Sequence, residues 1–395
     1  MVAPQLERSV AGRIDMKYMG SKAAMLKVGL GSLLLREVTN RDRFVDLFSG
    51  SAVVASTLAV SYPTEVVAVD TQAYSGVLAG AVLERTDPIS IDVVSEWLER
   101  AKLRRIRHGV RSYAAGEPLT RSAALNEREL ASSLGSSGWV TRAYAGHYFS
   151  LQQTLEIDSL IESIEDAPKE SKIVLLAAVL EACSSAAAAP GHTAQPFQPS
   201  ERLLPHISSA WSRSVSTLAE KSAIRIASIH AQRTGLAVVD DAQHFAEEFV
   251  RSSDLVFCDP PYSEVQYSRF YHVLEGIARG GWEELQGAGR APALRDRFTS
   301  DFSSRRNSSR AFRDLFRALA DAGSTVVLTF PNHACSNGQS AASLEAFAAE
   351  FFAVERLTIS VPHSSLGGAR ATDSKSSRSA RRNVEEMVLT LRPRR

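Results

Sequence analysis

No run of about 18 or more apolar residues occurs in the 395-residue chain, so the text carries no signal for a membrane-spanning helix. The opening residues, MVAPQLERSVAGRIDMKYMG, lack the apolar core of a secretory signal and read as a poorly ordered lead-in up to about residue 16. Cysteine is scarce. Cys183, Cys258 and Cys335 lie far apart, which excludes a disulfide framework and a paired-cysteine zinc motif and suits a reducing cytoplasm. An excess of one charge is missing too: 45 Lys and Arg stand against 44 Asp and Glu, a net charge of +1. That excludes a wholly basic nucleic-acid coat, so any DNA contact must come from local basic clusters. No G-x-G-x-x-G occurs in the turn after the first strand signal, against ordinary dinucleotide binding. No internal repeat appears, and no His or Cys constellation implies a metal.

What is present is an α/β rhythm with an interruption. With 44% hydrophobic and 23% charged residues, the composition is that of a well-packed globular protein. The length suits a core plus one sizeable insertion. RFVDLF from Arg43 fits a buried parallel strand, and Ser49-Gly50-Ser51 breaks it before the helical AVVASTLAV. EVVAVD, Glu65 to Asp70, is a second buried strand ending in an acid, and AYSGVLAGAVLERT follows as a helix. Strand, tight turn, helix, strand, acid opens a doubly wound sheet. From about 86 to 230 the signals turn mainly helical, as in VVSEWLERAKLRRIR and SLIESIEDAPKESKIVLLAAVLEAC. Between these two, GEPLTRSAALNERELASSLGSSGW is rich in Gly and Ser and reads as irregular; AAAAPGHTAQPFQPS is a second irregular stretch. The rhythm resumes with GLAVVD, AQHFAEEFV, DLVFCD and STVVLTF. VERLTISV and VEEMVLTL suit a terminal antiparallel pair joined by a polar, basic loop. The expected organisation is residues 16–85 and 231–395 as two parts of one core, with 86–230 inserted.

The most specific motif is Asp259-Pro260-Pro261-Tyr262, directly after the apolar DLVFC. Open α/β sheets bind ligands at the carboxyl ends of strands. An acid there accepts a hydrogen bond from an amine, and a proline contributes a carbonyl without an N–H beside it. Two acceptors aimed at one NH2 group would hold its nitrogen for attack on a methyl group, while Tyr262 can stack on a flat base. An ordinary strand-end turn is the plain alternative, and the full tetrapeptide argues against it. In Asp46-Leu47-Phe48-Ser49-Gly50-Ser51, small residues let the backbone approach a ligand closely, although a plain strand–turn–helix has the same spelling. Asp70 can accept both hydroxyls of a ribose, or simply cap a helix. In Lys17-Tyr18-Met19-Gly20-Ser21-Lys22, a lysine can pair with an amino-acid carboxylate, or be solvated like most lysines.

Taken in order, KYMGSK, DLFSGS, VAVD, a long insertion and DPPY resemble the D12-class (alpha-group, Dam-type) DNA N6-adenine methyltransferases. HYFSLQQTLEIDSLI in the insertion, VQYSRFYHVLE after DPPY, and PHSSLGG followed by VEEMVLTL echo the same family. The resemblance implies a Rossmann-like, mostly parallel methyltransferase sheet with an antiparallel C-terminal strand and a mainly helical target-recognition lobe. It implies S-adenosylmethionine as cofactor and double-stranded DNA as substrate; such an enzyme works beside a restriction enzyme, within a larger phage-defence system, or alone. By the same resemblance Tyr18 and Lys22 would bind the cofactor, Phe48, Ser49, Gly50 and Ser51 would wrap it, and Asp70 would hold its ribose. Asp241 would lie near its adenine, with Asp240 an equal candidate by position. Asp259, Pro260, Pro261 and Tyr262 would bind the target adenine against the cofactor. Ala52 stands where the family usually has a further glycine.

Three basic clusters could meet phosphates: Lys102, Arg104, Arg105, Arg107 and Arg111; then Arg305, Arg306 and Arg310; then Lys375, Arg378, Arg381 and Arg382. Any one of them reads equally well as a solvated face. Gly191-His192-Thr193-Ala194-Gln195 is a candidate base-reading loop or a structural one. DPPY also serves enzymes acting on guanine N2 in RNA, and related motifs serve cytosine N4. These, adenine N6 in RNA, and a catalytically silent binding module on the same fold are the competing expectations.

Overall fold

The computed structural model describes residues 22–105, 113–114, 117–134, 138–362 and 383–394. The lead-in, Tyr18, Arg107, Arg111, Lys375, Arg378, Arg381 and Arg382 lie outside the described residues.

A mostly parallel sheet organises the chain. Its strands are β1 (Arg43–Asp46), β2 (Glu65–Asp70), β3 (Leu236–Val239), β4 (Asp254–Cys258), β7 (Thr325–Pro331), β8 (Phe352–Pro362) and β9 (Asn383–Pro393). The spatial order is β3-β2-β1-β4-β7-β9-β8, with a separate small hairpin of β5 (Leu285–Gln286) and β6 (Ala291–Pro292). β3 through β7 run parallel, with Val45 beside Val67 on one side and Val256 on the other. β9 runs antiparallel to β7 and to β8, as the terminal pair in the sequence suggests.

Side-chain alternation explains why the interiors of the central strands are apolar. Phe44 packs in one layer with Leu34 and Val54, while its neighbour Val45 packs in the other with Phe316 and Phe245. β4 splits in the same way: Leu255 and Phe257 go to the first layer, Val256 and Cys258 to the second. A central parallel strand covered on both faces is apolar on both sides along its interior, with charged residues only at its ends. At the opposite end from the motifs, Arg43 grips Asp254 with two hydrogen bonds, Nε to Oδ1 at 3.0 Å and Nη2 to Oδ2 at 2.7 Å. This pair locks the starts of β1 and β4. Gly235 precedes the edge strand β3, where a Cβ would come within 2.1 Å of the Val66 carbonyl.

The described residues between 86 and 230 are mainly helical, including Ile91–Arg105, Leu151–Ile164, Lys169–Ala186 and Val215–Ser228. Their core is continuous with Tyr74 and Leu78 of the helix Ala73–Leu83 and with Tyr271 and Leu274 of the helix Ser268–Arg279. These inserted helices therefore share one core with the helices that flank the sheet. One expectation is corrected. The Gly- and Ser-rich stretch holds a helix, Arg121–Ser133, capped by the Thr120 hydroxyl accepting from the Ala123 N–H at 3.1 Å. The Gly residues lie outside the helix, and its interior AALNEREL is built mainly of Ala, Leu, Glu and Arg that favour helix. No helix among the described residues is long and apolar enough to cross a membrane.

Candidate functional site

At the carboxyl edge of the parallel strands a cleft of about 950 Å³ gathers residues that are far apart in the chain. Lys22, Phe48, Ser49, Gly50, Ser51, Asp70, Asp241, Asp259, Pro260, Pro261 and Tyr262 all line it. The topology accounts for this: β1, β2 and β4 are parallel neighbours, so the turns that follow them open on one edge.

Lys22 forms part of the cleft wall at 3% exposure, and its ammonium lies 3.0 Å from Asp259 Oδ1 and 2.9 Å from Glu386 Oε2. Burial opposes its charge, but the Asp259 and Glu386 carboxylates outweigh burial and hold Lys22 above the usual lysine range. Thr329, on β7, donates its hydroxyl to the same Asp259 Oδ1 at 2.8 Å. Two donors thus pin one oxygen of Asp259, and no donor among the described residues reaches Oδ2. Burial pushes the Asp259 carboxyl above its ordinary range, against the pull of Lys22. Glu386 and Thr329 were not singled out from the sequence. The available signal for Glu386 was its place near the start of an antiparallel strand, which puts it at the carboxyl edge of parallel β7.

The turn after β1 is bound to the end of β2. The Gly50 N–H donates to Asp70 Oδ2 at 2.9 Å, and the Gln72 N–H donates to Oδ1 at 3.0 Å. Gly50 has φ 50° and Ala52 has φ 58°, so Ala52 sits in the left-handed region that favours glycine. Its conformation begins the helix Val53–Ser61. Burial raises Asp70 to about 6, opposed by the Gly50 and Gln72 N–H groups. Asp46, at the end of β1, is also buried, and burial lifts its carboxyl well above the ordinary value. Glu275 accepts from the Ala73 and Tyr74 N–H groups at 3.0 Å each, which ties the helix after Asp70 to the helix after the Asp-Pro-Pro-Tyr turn.

Asp241 and Asp240 part company. Asp241 lines the cleft and caps the helix Ala242–Phe249, its Oδ1 accepting from the Gln243 N–H at 2.8 Å. Asp240 faces His244 Nδ1 at 2.8 Å.

The Asp-Pro-Pro-Tyr turn is held from behind by Asn337, which is fully buried. Its amide donates to the Pro261 carbonyl at 3.1 Å and to the Phe302 carbonyl at 3.0 Å. No donor among the described residues reaches the Pro260 carbonyl. Gln266 pairs with the Ser300 backbone, donating to its carbonyl at 3.1 Å and accepting from its N–H at 2.7 Å. Residues 298–303 thereby become a second wall of the cleft. Two buried polar atoms of lining residues, Gln72 Oε1 and Ser303 Oγ, have no partner among the described residues. Buried polar atoms are normally satisfied, so orphans in a cleft wall fit a ligand.

The basic clusters differ. Arg104 donates to Asp166 at 2.7 Å and to Ser163 at 3.1 Å, and Arg105 pairs with buried Glu156 at 2.6 Å beside a different cavity. Arg305 and Arg306 are exposed without an ion pair among the described residues, a few positions past the cleft-lining Ser303. Arg310 lies 3.7 Å from Asp301. In the loop 191–195, Thr193 is bonded to the Phe270 carbonyl through its N–H and hydroxyl, and His192 packs on the Phe270 ring.

Residues 18–322 match the family described as D12 class N6 adenine-specific DNA methyltransferase. The chain is 27% identical over 324 residues to the modification methylase LlaI of Lactococcus lactis subsp. lactis. That alignment covers 77% of this chain and 44% of the relative, so the chain spans less than half the relative's length.

Proposed function

The chain belongs to the D12 class of N6 adenine-specific DNA methyltransferases, and from that premise we propose that it transfers a methyl group from S-adenosylmethionine to adenine N6 in double-stranded DNA. The observation that carries the reading is the convergence of Lys22, Asp70 and Asp259 on one cleft. The modification methylase among its relatives supports methylation at particular DNA sites.

The residues fit the cofactor. Asp70 spends one lone pair per oxygen on Gly50 and Gln72 and keeps others for two ribose hydroxyls. Lys22 has a third ammonium proton for a carboxylate, and Gln72 Oε1 awaits a donor. When bound, S-adenosylmethionine supplies a methyl group already activated by its sulfonium. The protein's own part is positioning and electrostatics. A target adenine turned out of the duplex, at a cost of a few kcal/mol, brings its amine to the Asp-Pro-Pro-Tyr turn. Asp259 Oδ2 and the Pro260 carbonyl accept hydrogen bonds from its two N–H groups and fix the nitrogen. Tyr262 covers the base, and Asp259 Oδ2 stands ready for the proton shed after alkylation.

For the substrate's flanks, the exposed Arg305 and Arg306 suit phosphates better than Arg104 and Arg105, whose guanidinium groups are already paired within the protein. Lys375, Arg378, Arg381 and Arg382 remain candidates from the sequence. The helical insertion, 86–230, is assigned target recognition.

Parallel incubations of methyl-tritiated S-adenosylmethionine with unmethylated genomic DNA and with RNA, followed by nucleoside chromatography, test the reading. Label in N6-methyldeoxyadenosine is expected, with Asp259→Ala silent yet still binding cofactor. Label in RNA, in cytosine, or nowhere would replace it with one of the competing functions.

A further inference from the structure

We propose that Glu386 is a positioning residue that sets the charge of the amine-binding site: by sharing the Lys22 ammonium with Asp259, it leaves the trio with one negative charge facing the reacting nitrogen. The inference rests on the methyltransferase reading and deepens it.

The geometry is that of one cation between two anions. Lys22 Nζ lies 3.0 Å from Asp259 Oδ1 and 2.9 Å from Glu386 Oε2, with the lysine 3% and the glutamate side chain 13% exposed. A lysine paired with Asp259 alone would make the pair neutral. Its positive field would then oppose the amine nitrogen, which becomes positive as it forms its fourth bond. Fixed charge acts most strongly where charge develops in a water-poor site. Glu386 cancels the lysine's excess and anchors its ammonium on the Oδ1 side, away from the unclaimed Oδ2.

β9 makes this placement possible. It enters the sheet antiparallel beside β7, so Glu386, opposite Pro331, arrives at the carboxyl edge where the motifs meet. Its neighbour Glu385 is turned to Asn332, with the Asn332 amide 3.2 Å from its carboxylate. The titratable groups around Glu386 are Lys22 ahead of the first helix, Asp259 and Tyr262 after β4, and Cys335 in the loop after β7; Asp46, at the end of β1, acts on Asp259. Of these, Lys22 is the one cation.

Glu386→Gln separates charge from structure, because the amide oxygen can still accept from Lys22. The expected result is a fall in kcat of about tenfold to a hundredfold, with cofactor affinity by calorimetry within about threefold of wild type. Glu386→Asp keeps the charge and should retain most of the turnover. A second readout is the carboxyl carbon-13 titration of aspartate-labelled protein without cofactor, with Asp259 assigned through Asp259→Asn. Removing a neighbouring negative charge should move the Asp259 titration to lower pH. Wild-type kcat together with an unmoved Asp259 titration in Glu386→Gln overturns the proposal, as does an equal loss of kcat in Glu386→Asp. If the wild-type protein methylates nothing, the methyltransferase reading fails by itself, and the Asp259 titration alone decides the role of Glu386.

Discussion

Lowering the pH from 7 to 5 should weaken cofactor binding about tenfold through Asp70. Burial lifts this carboxyl from 3.8 to about 6. Accepting two ribose hydroxyls requires the ionised form, so the apparent Kd scales as one plus the ratio of protonated to ionised Asp70. With a midpoint near 6, that factor is about 1.1 at pH 7, about 2 at pH 6 and about 11 at pH 5. The stability of the free protein should move the opposite way. A folded-state value above the unfolded one gives a contribution fully present below about pH 4 and lost as pH rises through about 6. Acid would thus favour the unliganded fold at this group while disfavouring the complex. Asp46 and Asp259 are also shifted upward and add their own pH dependence, so the decisive comparison is with Asp70→Asn. That variant should bind more weakly at pH 7, by about 1–3 kcal/mol for the lost charged hydrogen bonds, and lose the Asp70 component of the slope. Calorimetric titration with S-adenosylhomocysteine between pH 5 and 8 measures both. Parallel wild-type and Asp70→Asn pH curves would refute the reasoning.

Removing the shared cation by Lys22→Met leaves Asp259 and Glu386 facing each other in the protein, and should cost about 3–5 kcal/mol at pH 7. The loss should shrink at pH 5, because Asp259, already held above its ordinary range by burial, would lose the lysine that opposes that rise and protonate more readily folded than unfolded; equal losses in urea unfolding at both pH values would contradict this. Asn337→Leu frees the Pro261 and Phe302 carbonyls, so the thermal midpoint should drop with a destabilisation of about 1–3 kcal/mol. Turnover should fall further than cofactor affinity, since the released turn holds the base; equal falls would place Asn337 outside that role. Replacing Arg305 and Arg306 together by Ala should reduce the slope of log DNA affinity against log salt by about 2, and an unchanged slope would remove them from the DNA interface.

How much of this was legible in the text follows from how each contact is made. The turns at Ser49–Ser51 and Asp259–Tyr262 are local: strand, break and functional residues are consecutive letters. The parallel order that brings them together follows from the alternation of strand and helix. Glu386, Thr329 and Asn337 were not legible as site residues, because each acts across long sequence separation: Glu386 meets Lys22 over 364 positions, and Asn337 meets Pro261 over 76. Such pairings depend on register, which periodicity does not encode. Arg105 illustrates the reverse error of emphasis. A basic run looks free in sequence, yet this guanidinium is held by Glu156, 51 residues on. The helix Arg121–Ser133 was obscured because its Gly- and Ser-rich flanks outweighed its interior. The separation of Asp240 from Asp241 needed the capping geometry, since adjacent letters gave both equal standing.

A crystal structure with a bound, non-transferring analogue of S-adenosylmethionine bears most directly on the central claim of a shared cleft. The ribose should rest on Asp70, and the position of the transferable methyl should face Asp259 Oδ2 and the Pro260 carbonyl. An analogue seated outside this cleft, or oriented with that position away from the Asp-Pro-Pro-Tyr turn, would contradict the account.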